Sequence, residues 1–178
     1  RDFRIRMDKG NDGFWISGRH MSEGTVKDST WNHLCIVVDT ENATAADRFR
    51  YWVNGVEGND YDGHQQNVDI YYLGTSDQKW HFFASNSAGT TEGGNPGECF
   101  DFIYVDGQAL TPTQVNYSTN NGGEWVNYTG TYGDHGFRLD GQNASDAGED
   151  SSGNGHNFSA GNATYTPTTS ASDLPPGA

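Results

Sequence analysis

The sequence is poor in aliphatic side chains, in positive charge and in cysteine. Leu, Ile, Val and Phe together make 28 of the 178 residues, beside a formal net charge of −14. That combination borders on the range in which a chain cannot bury enough apolar surface to fold. Only three residues are Lys, and ten basic residues face 24 acidic ones. Such a surface repels phosphate backbones and anionic lipid heads, which argues against nucleic acid and membrane insertion. No apolar run reaches the roughly 18 residues needed to span a bilayer. Arg1-Asp2-Phe3 shows neither an initiator Met nor a signal peptide, the expectation being a fragment of something longer. His-Glu-x-x-His, Gly-x-Ser-x-Gly, Cys-x-x-Cys and phosphate-cradling glycine loops are all missing.

What the sequence does have is aromatic bulk. Trp, Tyr and Phe make 13% of the chain. Each can bury roughly 150–250 Å², so a thin, aromatic-rich core is expected. Gly, Asn, Asp, Ser and Thr supply tight turns rather than helices. Phe3, Ile5 and Met7 alternate with Arg4 and Arg6 as in a half-buried strand, and Gly10 to Gly13 turns into a second strand, Phe14 to Ser17. Trp31 to Asp39 reads as a strand buried on both faces in its second half, near the middle of a sheet. Phe49, Tyr51 and Val53 alternate with Arg48, Arg50, Trp52 and Asn54 up to Asn54-Gly55, the preferred centre of a type I′ hairpin turn. Further strands are expected at Val68 to Leu73, Trp80 to Ser85 and Cys99 to Val105, and one helical turn at Thr111 to Val115, with Thr as N-cap and Pro at the first helical position. The whole reads as one all-β, antiparallel jelly-roll β-sandwich over 1–165, followed by a Pro/Ser/Thr-rich linker or strap over 166–178.

Three blocks carry a family likeness. Trp31-Asn32-His33, Asp39-Thr40 and Arg50 to Gly55 resemble the "W-x-H…D-T…Y-V-N-G" core of concanavalin A-like and laminin G-like jelly-roll domains. Asp101 to Pro112 resembles the "E-V-x-F-x-D-G-Q-A-L-T-P" segment of such domains in tailed-phage and marine-virus structural proteins, with Asp101 standing where Glu is usual. Tyr128 to Leu139 with Asp150 to His156 resembles their "Y-T-G-T-Y-G…G-F-x-L…D-S-S-G-N-G-N" tail. The resemblance implies a non-enzymatic module on a virion surface, in a tail fibre, appendage or capsid decoration, that contacts host glycans or neighbouring subunits and assembles as a homo-oligomer. It also implies strands ahead of Trp31, supplied by the polypeptide upstream or by another chain, because an unpaired edge invites aggregation.

The alternatives are a secreted cellular lectin or adhesin module and a jelly-roll glycoside hydrolase. A hydrolase needs two carboxylates across one bond, about 5–9.5 Å apart, and none of the seven Glu residues lies in the Glu-x-Asp-x-Glu pattern of the jelly-roll glucanases. Glu98 and Asp101, three apart, are expected on opposite faces of a strand. Tyr61, Tyr71, Tyr72, Trp80 and His81 are candidate glycan contacts, since sugars stack on aromatic faces, while Trp31, Trp52 and Phe100 are assigned to core packing. Asp60 and Asp62 are candidate ligands for a structural calcium, with Asp8, Asp12 and the Asp146 to Asp150 loop as further acidic groups. Cys35 and Cys99 fit either a disulfide or two buried free thiols. Sequons at Asn42, Asn116, Asn127, Asn143, Asn157 and Asn162 are candidate N-glycosylation sites.

Overall fold

A computed structural model describes residues 5–8, 13–16, 19–21, 30–58, 65–68, 85–87, 90–92, 98–118, 123–159 and 174–178. Among them the chain is all-β, made of short antiparallel strands with a single α-helical turn and one 3-10 turn, Ala45–Asp47. β1 (Ile5–Asp8), β2 (Gly13–Ile16) and β3 (Arg19–Met21) form a meander, of which the third strand was not anticipated. β4 (Leu34–Val38), β5 (Phe49–Val53) and β6 (Val56–Glu57) form a second sheet in that order. β7 (Ser85–Ser87) pairs with β8 (Thr90–Glu92). Beyond these, β9 (Phe102–Tyr104) leads to α1 (Pro112–Val115), β10 (Tyr117–Ser118), β11 (Glu124–Trp125) and β12 (Phe137–Leu139), with β9 joined to β12 and β10 to β11.

Among the described residues the strand expected in mid-sheet, β4, has a ladder partner on one side. Asn54 and Gly55 both take positive φ, 51° and 77°, as a type I′ turn requires, and so send β6 straight back beside β5. β5 therefore has ladder partners on both sides, whereas β4 has β5 alone among the described residues. Phe49, Tyr51 and Val53 on β5 are 1–3% exposed, with Leu34, Ile36 and Val38 of β4 packed against them. The opposite face is covered too. Trp52 is buried beneath the Arg50 guanidinium, 4.6 Å from its ring centre, and the Cys35 thiol donates to the Leu110 carbonyl at 3.8 Å.

A second aromatic cluster centres on Phe137 of β12, which stacks on Phe102 at 5.7 Å and meets Tyr104 and Phe158 at 5.5 and 4.8 Å. The helical turn lies where its cap residues place it: Gln114 Oε1 accepts from the Thr111 backbone N–H at 2.9 Å and from its hydroxyl at 2.7 Å. At the far end of the chain, the Pro176 carbonyl accepts the Trp125 N–H at 2.6 Å, so residues 174–178 lie along β11. The strands expected at 69–73 and 80–84, and the linker over 166–173, fall outside the described residues.

Candidate functional site

The β9–β12 and β10–β11 sheets meet at a buried carboxylate. Asp101 precedes β9 with a φ of +58°, a left-handed conformation that Asp tolerates better than most residues, and its side chain is 1% exposed. Arg138 takes it in a two-pronged grip, Nε to Oδ1 at 2.6 Å and Nη2 to Oδ2 at 3.1 Å. Trp125 Nε1 on β11 donates to Oδ2 at 2.7 Å, and Asn116 Nδ2 adds a longer contact of 3.4 Å. Three of these four donors converge on Oδ2 and one on Oδ1. Burial works against the Arg138 charge, but the bond to Asp101, the charge of that carboxylate and Tyr132 together outweigh it and raise the guanidinium above its ordinary value.

From Asn116 the network runs on to the β4–β5–β6 sheet. Asn116 Oδ1 lies 2.8 Å from His33 Nε2, and the His33 ring stacks on Tyr117, centroids 4.6 Å apart. Tyr117 Oη donates to the Asn54 carbonyl at 2.8 Å, and Asn54 Oδ1 receives the His33 backbone N–H at 2.9 Å. The type I′ turn is therefore also the anchor of β10.

On the other side Arg138 is held by its own backbone. Its N–H donates to Asp150 Oδ1 at 2.9 Å, and the same carboxylate receives the N–H groups of Ser152 and His156, each at 2.9 Å. Burial works to raise Asp150, but these donors together outweigh it and hold the carboxyl down at about 2. Asn154 Nδ2 clamps the same loop to the Gly133 and Gly136 carbonyls at 2.7 and 2.8 Å. The Asp150 to His156 block thereby positions Arg138.

Beside the bridge opens a recess of about 300 Å³, lined by Phe100, Trp125, Asn127, Asp140 and Gln142 together with the bridged Asp101 and Arg138. Phe100 and Trp125 meet edge to face at 5.4 Å, and Trp31 packs edge-on to Phe100 at 6.2 Å. Arg138 Nη1 donates to Asn127 Oδ1 at 2.9 Å, which leaves the Asn127 NH₂ and the Gln142 side-chain amide without partners among the described residues. A second recess of about 260 Å³ lies over Trp52, between Asp39, Asn42, Asp47 and Thr111.

The expected site residues fare differently. Tyr61, Tyr71, Tyr72, Trp80, His81, Asp60, Asp62, Asp12 and Asn162 lie outside the described residues, and of Asp8 only the backbone is described. In the Asp146 to Asp150 loop the carboxylates serve the backbone: Asp150 takes three N–H groups and Asp146 Oδ1 takes that of Gly148 at 3.0 Å. No group of three or more metal-ligating side chains occurs among the described residues. Cys35 and Cys99 are free thiols, and burial pushes the Cys35 thiol up to about 12.

Asn116 is 7% exposed with its amide nitrogen turned to Asp101, so a glycan there would break the network. The Asn143 amide nitrogen is held by Glu149 at 2.7 Å and that of Asn42 by Asp39 at 3.2 Å, whereas Asn127 and Asn157 are exposed. Glu98 and Asp101 are not on two faces of one strand. Both precede β9, Glu98 in solvent and Asp101 in the interior, because the left-handed backbone turns its carboxylate inward.

No family model, curated protein or solved structure matches the chain.

Proposed function

We propose that this chain is a non-catalytic jelly-roll recognition module, displayed on a virion surface, whose recess between Trp125 and Gln142 contacts carbohydrate. The recess carries the reading: two aromatic rings, two amides and a carboxylate line it together with the bridged Asp101 and Arg138. Sugars need aromatic surface for their C–H faces and planar polar groups for their hydroxyls, and side chains already held by a bridge lower the ordering cost of binding. Arg138 already bonds Asp101 and Asn127, and Asp101 and Asp140 add negative charge, so neutral sugars suit the recess better than sialylated or sulfated ones. The reading as a binding module is supported by Asp101, whose side chain is 1% exposed and tied up in a bridge to Arg138, and which is thus poorly placed to act as acid, base or nucleophile. The virion context and the jelly-roll topology are supported by the sequence blocks at Trp31 to Gly55, Asp101 to Pro112 and Asp150 to His156.

A glycan array probed with the wild-type chain and with Gln142→Ala tests this. Binding of neutral glycans by the wild type, reduced at least tenfold in the variant, is the expected result. No binding to any glycan, or equal binding by both proteins, would overturn it.

A further inference from the structure

The geometry dictates the protonation state of His33. Asp101 only accepts hydrogen bonds, so the Asn116 amide turns Nδ2 toward it and leaves Oδ1 facing His33 Nε2 at 2.8 Å. An oxygen there requires a donor, and neutral His33 therefore carries its proton on Nε2. Nδ1 is left as a lone pair, buried and without a partner among the described residues. The groups facing the ring, Asn116 and Tyr117 from the α1–β10 corner, are neutral, and Asn54 from the β5–β6 turn takes the His33 backbone N–H. The charges nearby are Asp101, which favours protonation, and Arg138, which is bound to Asp101. A second proton would have to sit on Nδ1, creating a buried donor with no acceptor and a charge with little solvation.

We propose that His33 is a proton-sensitive latch: with Nε2–H on Asn116 and Nδ1 bare it fastens the β4–β5–β6 sheet to the α1–β10 corner, and a proton on Nδ1 weakens that fastening and with it the fold. The latch is independent of what the recess binds. Its direction in pH follows from burial, which lowers His33 below its ordinary value of 6.5 despite the opposing pull of Asn116 and Asp101. The unfolded chain accordingly takes the proton first, so stability present above about pH 6.5 is lost as pH falls below it toward the folded-state value.

Two measurements on the full chain test the latch. In urea unfolding from about pH 7.5 to 5, the unfolding constant of wild type relative to His33→Gln should rise by up to about tenfold per pH unit below 6.5, because Gln keeps a donor for Asn116 but does not titrate. In parallel, the His33 imidazole resonances of the folded wild type should titrate below 6.5 or not at all before unfolding. An equal acid loss in His33→Gln, or a wild-type His33 that titrates at or above 6.5, would overturn the proposal. If the variant does not fold, the wild-type resonances decide alone.

Discussion

Arg138 and Asp101 face each other through two parallel hydrogen bonds, 2.6 and 3.1 Å long, with side chains 12% and 1% exposed. The pair ties β12 to the loop before β9. Through Trp125 and Asn116 it reaches the β10–β11 hairpin, and through His33 the β4–β5–β6 sheet. With so few aliphatic residues, the fold relies on this polar junction to fix how its small sheets meet.

Breaking one side of the junction should be costly. Asp101→Asn keeps the shape and tolerates the left-handed φ but leaves the Arg138 charge unpaired, at an expected cost of about 3–5 kcal/mol in urea unfolding. Arg138→Met combined with Asp101→Asn should cost less than the two single changes summed, with a coupling of about 0.5–3 kcal/mol. Additive losses would mean the bridge is not the joint.

Asp150 should govern acid stability at lower pH. Its carboxyl lies near 2 in the fold against an ordinary 3.8. The folded value is depressed, so the stabilisation, about 2 kcal/mol, is complete above about pH 4 and lost as pH falls toward 2. Asp150→Ala should lose about that much at neutral pH and show a shallower acid transition over this range, read by circular dichroism.

Gly136 admits no side chain. A Cβ there would lie 1.9 Å from the Tyr132 carbonyl oxygen and 2.8 Å from that of Tyr104, both backbone atoms. Gly136→Ala should therefore destabilise by about 1–3 kcal/mol in thermal unfolding. Gly153→Ala, where nothing lies within 4 Å, should pay only for its positive φ of 92°.

Local chemistry made some of these features readable from sequence. Asn54-Gly55 specifies its turn through backbone tolerance, and Thr111-Pro112 its helical turn through capping, so both lie where the residues place them. The alternation of Phe49, Tyr51 and Val53 marks the core face, but it does not reveal that β5 has ladder partners on both sides, because that depends on which side the turn returns. The junction was less accessible. His33 and Asn116 lie 83 positions apart and Asp101 and Arg138 lie 37 apart, and no periodicity links them. The one signal in the sequence is that an Asp, a His and an Arg stand within otherwise apolar or glycine-rich stretches, where a buried polar role is the economical explanation. Strand spacing does not predict where the Asp101 carboxylate points, because its positive φ takes it out of the strand.

The central claim, that the recess beside the Asp101–Arg138 bridge receives carbohydrate, is tested most directly by titrating the ¹⁵N-labelled chain with neutral oligosaccharides and following its amide resonances. The account predicts saturable shifts concentrated at Trp125, Asn127, Asp140 and Gln142, with the sialylated or sulfated counterparts weaker. Saturable shifts that map elsewhere and spare these four residues, or no shifts at all, would contradict it.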